Sequence, residues 1–77
     1  MNKIYVDLNV LNNVSLFVQA ASQVQDEIYL KSDKYVVNAK SIMGIYSLNL
    51  SKPVLVEISA NEFPKTFIKQ IENFIVK

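Results

Sequence analysis

Asn38-Ala39-Lys40-Ser41-Ile42-Met43-Gly44-Ile45, continuing as Tyr46-Ser47-Leu48, joins the end of one extended run to the start of a helix. Val37 and Ala39 alternate with polar neighbours, as on the inner face of a strand. Ser41 is then a helix N-cap residue, and the spacing predicts a short helix over Ile42 to Leu48. Ile45 and Leu48 fall on the side that faces a core. Ile42, Met43 and Tyr46 fall on another side of the same helix.

Upstream, Tyr35 to Ala39 is the return strand of a hairpin. Its partner places Ile28 and Leu30 inward and Tyr29 and Lys31 outward, with Ser32-Asp33-Lys34 as the turn. Before that, Val14, Phe17, Val18, Ala21 and Val24 recur at helical spacing over a helix of about ten residues. Asn12 and Asn13 are its candidate N-caps. Residues 3–10 alternate strictly, with Ile4, Val6, Leu8 and Val10 on one face. Downstream, Pro53 marks the start of a strand in which Val54, Val56 and Ile58 face inward. Pro64 suits the first turn of a last helix, with Phe67, Ile68, Ile71, Phe74 and Ile75 as its apolar stripe and Lys65, Lys69, Gln70, Glu72, Asn73 and Lys77 opposite. The predicted order is β-α-β-β-α-β-α. It is an α+β domain of four antiparallel strands with three helices on one face, and Tyr5, Tyr29 and Leu55 on the open face.

Composition narrows the function. The 77 residues carry a net charge of +1, with no cysteine and no histidine. The commonest general base, thiol chemistry and the usual zinc ligands are therefore excluded. The lysines are dispersed and arginine is missing, which argues against direct nucleic-acid binding. The carboxylates Asp7, Asp26, Glu27, Asp33, Glu57, Glu62 and Glu72 scatter over turns and polar faces, and Gly44 is the single glycine. Neither an acid/base pair, nor a metal cluster, nor a glycine-rich phosphate loop emerges. The expectation is no enzyme, no cofactor and no metal. The apolar runs are too short for a membrane span, and the start of the chain shows no signal-peptide core. A single cytoplasmic domain over residues 1–77 is expected.

Two segments are more specific than this topology: the run from Asn38 through Leu48, and Leu16-Phe17-Val18-Gln19-Ala20-Ala21-Ser22 at the first helix. At this spacing they resemble HPr, the phosphocarrier family of the bacterial sugar phosphotransferase system, whose fold is an open-faced β-sandwich. The resemblance runs without gaps from about Leu8 through Leu50, and the order of elements extends it to the end of the chain. The last third is weakly similar.

The family's active-site motif places a phosphorylated histidine and a phosphate-binding arginine at the start of the first helix. In this chain those positions carry Val10 and Asn12, and Asn13 replaces a proline. Valine has no lone pair to accept a phosphoryl group, so the resemblance is to the Crh-like members that lack the histidine. It implies that Ser41 is the family's regulatory serine, a target of HPr kinase/phosphorylase, and that the phosphorylated form binds a catabolite-control transcription regulator. It also implies that Lys40, Ile42, Met43 and Tyr46 contact protein partners, with Tyr46 where a methionine is usual. Lys34 stands at a turn position where the family favours glycine. Asn12 cannot supply the charge that the family arginine brings to several partner contacts.

Two alternatives remain beside this reading. Ser41 as an unmodified N-cap, and Ile42, Met43 and Tyr46 as core residues, describe a domain without that switch. An interaction module that kept the fold and lost both phosphorylation roles would then be the function.

Overall fold

The computed structural model describes residues 2–76, apart from the side chain of Leu11. The strands are β1 (Lys3–Val6), β2 (Ile28–Ser32), β3 (Tyr35–Asn38), β4 (Val54–Ile58) and β5 (Ile75–Val76). The helices are α1 (Leu11–Ser22), α2 (Ile42–Tyr46) and α3 (Lys65–Ile71), with a 3-10 turn at Glu72–Phe74. The expected α+β order is present, with a fifth strand added at the end. All pairings are antiparallel, and the sheet runs β3-β2-β4-β1-β5.

Alternation builds one buried sheet face. Ile4, Val6, Ile28, Leu30, Val54, Val56 and Ile58 are all buried, and the strand residues between them are exposed or half-buried. Val14, Phe17, Ala20 and Ala21 from α1, Ile45 from α2, and Phe67 and Ile71 from α3 cover that face. Phe67 is the hinge of the aromatic packing. It meets Phe17 edge-on at 5.8 Å and stacks on Phe63 at 5.6 Å. Each such side chain, fully buried, contributes on the order of 1.5–3 kcal/mol.

The opposite face is open. Register places Val36, Lys31, Leu55, Tyr5 and Val76 opposite one another in a row across all five strands. A second row is Asn38, Tyr29, Glu57 and Lys3. Tyr5 is 53% exposed, while Tyr29 and Leu55 are half-buried. In the second row Glu57 takes Lys31 at 2.5 Å and Lys3 at 3.5 Å, so one carboxylate ties three neighbouring strands. The Lys31 ammonium hydrogen-bonded to it, with Lys3 adding attraction, holds the Glu57 carboxyl below the usual glutamate range although partial burial opposes this. Tyr29 donates its hydroxyl hydrogen to Glu27, and that bond raises the phenol above its ordinary value.

Three expectations are corrected. The first strand stops at Val6: Asp7 turns the chain by accepting the Asn9 amide at its Oδ1 (2.9 Å), and Val10 emerges 56% exposed rather than inward. Val10, not Asn12 or Asn13, is the residue at the N-cap of α1, and no side chain caps that end. The last helix ends at Ile71. The stripe continues inward through the 3-10 turn at Phe74, and then Ile75 pairs with Val6 as a strand. In the hairpin turn the left-handed residue is Asp33 (φ 54°), the residue before Lys34. Aspartate tolerates that region better than lysine does, because its short polar side chain can bond locally. Lys77, expected on the polar face of the last helix, lies outside the described residues.

Candidate functional site

Hydrogen bonds from Asn38 set the turn between β3 and α2. Its Oδ1 accepts the Lys40 amide at 2.8 Å, and its carbonyl accepts the Ser41 amide at 3.0 Å. Between them Ala39 is fully buried and donates its amide to the Ile28 carbonyl at 2.8 Å. The chain therefore leaves the sheet with Ala39 pinned inward and with Lys40 and Ser41 exposed.

Ser41 has an extended backbone (φ −104°, ψ 103°), and its Oγ accepts the Gly44 amide at 3.2 Å. It is an N-cap by geometry, satisfying one of the amides that a helix start leaves free. At the other end Ser47 donates its hydroxyl to the Gly44 carbonyl at 2.6 Å. A helix of five residues is stabilised mainly by packing rather than by its own propensity. Ile45 and Leu48 supply the anchors, both buried.

The remaining side of α2 is apolar and open. Ile42 is 38% exposed, Tyr46 43% and Met43 77%. Met43 has three rotatable bonds and a polarizable sulfur, which suits an adaptable contact. From Lys34 through Val56 the chain carries Lys34, Lys40 and Lys52 and no carboxylate. The surroundings of α2 in sequence are thus cationic. Lys40, Ser41, Ile42, Met43 and Tyr46 come together on one short segment, all of them exposed.

At the start of α1, the Asn13 amide bonds the Val10 carbonyl at 2.9 Å and the Asn13 side chain donates to the Asp7 carbonyl at 3.2 Å. Asn13 is a tie between the turn and the helix. Asn12 is exposed in the first turn. Residues 8–25 carry no ionisable side chain, so α1 brings no charge to its end of the molecule. The Asp7-x-Asn9 spacing was the sequence signal for this turn, since aspartate commonly bonds the backbone two residues on.

Other concave regions lack convergent chemistry. A groove of about 230 Å3 between α1 and α3 is lined by Gln23, Gln25, Asp26, Thr66 and Gln70 among others. Among the described residues, no group of three His, Cys, Asp or Glu side chains could hold a metal ion. Among the same residues, no helix is long and apolar enough to cross a membrane.

The profile described as "PTS HPr component phosphorylation site" matches residues 11–76. The chain is 49% identical over 37 residues to the HPr-like protein Crh of Bacillus subtilis, covering 48% of this chain and 44% of that protein. It is 53% identical over 34 residues to the HPr-like protein Crh of Halalkalibacterium halodurans, covering 44% of this chain and 40% of that one. The match thus spans less than half the length of either curated relative. Solved structures align over nearly the whole chain. HPr-C-His from Thermoanaerobacter tengcongensis superposes with a TM-score of 0.71 at 31% identity, over 95% of this chain and 89% of that one. The phosphocarrier protein HPr from Bacillus anthracis superposes with a TM-score of 0.67 at 25% identity, over 94% and 92%.

Proposed function

The chain belongs to the PTS HPr family, and from that premise we propose that it is a non-catalytic regulatory binding protein of the phosphotransferase system and carbon catabolite control. It acts in the cytoplasm, through protein partners. It does not carry phosphohistidine, because the chain has no histidine and Val10 and Asn12 occupy the positions of the family's histidine and arginine. Its switch is Ser41. HPr kinase/phosphorylase forms a bond between Ser41 Oγ and the γ-phosphorus of ATP, ADP leaves, and the hydroxyl proton passes to a base on the kinase. The new dianion sits beside Lys40, and the phosphorylated α2 segment then engages a catabolite-control transcription regulator through Ile42, Met43 and Tyr46.

The observation that carries this reading is the pairing of an exposed serine hydroxyl with an exposed apolar patch on the same short helix. Apolar and aromatic side chains of this kind are enriched at protein interfaces.

The test is intact-protein mass after incubation with ATP and the kinase, beside Ser41→Ala. A gain of one phosphate that disappears in the variant is the expected outcome. The variant also loses its cap, at a cost of about 1 kcal/mol, so its fold is checked by circular dichroism in the same buffer. No gain, while a known HPr substrate is phosphorylated in the same tube, would sink the switch.

A second reading has its own observation. Ser41 Oγ already accepts the Gly44 amide, a sufficient structural use for a serine. On that reading the domain is an interaction module that binds through α2 without modification.

A further inference from the structure

Gly44 is the only glycine of the chain, and its φ is not positive. The backbone there is one that any residue adopts, and alanine would favour the helix. What glycine supplies is space. A Cβ built on Gly44 would lie 3.2 Å from Ser41 Oγ and 3.3 Å from Val37 Cβ, both closer than ordinary van der Waals contact. Val37 cannot easily retreat, because it is a strand residue paired with Leu30. A side chain at position 44 would therefore be relieved on the other side, by turning the Ser41 side chain or displacing the start of α2.

The Ser41 hydroxyl is left accessible by the same arrangement. A hydroxyl offers two lone pairs and one hydrogen. One lone pair takes the Gly44 amide over a long 3.2 Å, and the O–H has no acceptor among the described residues. We infer that Gly44 is a specificity-determining residue for Ser41 modification, the missing side chain keeping one flank of the hydroxyl open to a nucleoside triphosphate's terminal phosphoryl group. This rests on the reading of Ser41 as a phosphorylated residue. In the transfer the oxygen–phosphorus bond forms at Ser41 Oγ, the bond to the bridging oxygen breaks, the nucleoside diphosphate departs, and a base on the kinase takes the proton.

Gly44→Ala tests it against the wild-type chain with the same kinase and ATP. The docking side chains Ile42 and Met43 point elsewhere and remain, so the variant is expected to keep its KM for the kinase within about twofold. Its kcat should fall at least tenfold, with the thermal midpoint close to that of the wild type, because the helix preference of alanine offsets the disturbed cap. A merely structural role would loosen α2, raise KM and lower the melting temperature together, and that pattern overturns the inference, as does an unchanged kcat. A wild-type chain that takes no phosphate fails for a different reason, at Ser41 itself, and removes the inference along with the switch.

Discussion

Glu57 brings charge to the middle of the sheet, where Lys3 and Lys31 both reach its carboxylate. Its folded pKa lies below the unfolded one. The stability it contributes is therefore present above the ordinary glutamate range and is lost as pH falls through the lower folded value. Glu57→Gln should lower the denaturation midpoint near neutrality. The gap between variant and parent should close as pH is taken below the glutamate range, and shrink in high salt. Urea titrations of both proteins across that range are the check, and a gap independent of pH would assign the effect to packing. Individual residues were legible in the sequence where a single pattern governed them. Helical spacing separated Ile42, Met43 and Tyr46 from the inward Ile45 and Leu48, and residue type put Ser41 at the N-cap; the three side chains are exposed and Ser41 caps the helix. Val10 was misread because alternation was followed past the point where Asp7 bends the chain. Glu57's role was not legible, since it depends on register between strands that are distant in sequence.

At the level of elements, α3 shows how a correct pattern can carry a wrong boundary. Phe67, Ile68, Ile71, Phe74 and Ile75 fit one helical stripe, yet the helix closes at Ile71. A 3-10 turn stacks position i+3 over i, so Phe74 stays inward while the chain straightens. The Phe74 carbonyl then accepts the Asp7 amide at 2.8 Å and Ile75 pairs with Val6. Long-range pairing thus overrides local periodicity over the last turn. The short strand β5 was missed for that reason. The rest of α3 rests on its aromatic contacts. Phe67→Ala removes a fully buried ring that touches both Phe17 and Phe63 and should cost about 3–5 kcal/mol. Folded domains of this size hold on the order of 4–12 kcal/mol in total. The variant is expected to unfold at a far lower urea concentration, and a midpoint within a tenth of the parent's would show that the cavity collapses.

Across the whole molecule, the candidate site and the open sheet face lie on different parts of the fold. The candidate site is on α2, on the helical layer, whereas the far face of the sheet carries the row Val36, Lys31, Leu55, Tyr5 and Val76. The antiparallel layer with helices on one side followed from element order, because the first and last helical segments each carried one apolar stripe. Which strands became neighbours did not, since β4 inserts between β1 and β2 and no local signal encodes that. The row has a consequence for behaviour in concentrated solution. Lys31 is the sole charge in an otherwise greasy band on a protein whose net charge is only +1, a weak electrostatic barrier to self-association. It serves as a gatekeeper, interrupting an apolar band that would otherwise reach from edge to edge. Lys31→Leu should show a rise in scattered light per unit mass as concentration increases, while Lys31→Gln, which loses the Glu57 ion pair but stays polar, should follow the parent. If both variants scatter more than the parent and equally so, the ion pair and not the band governs colloidal stability.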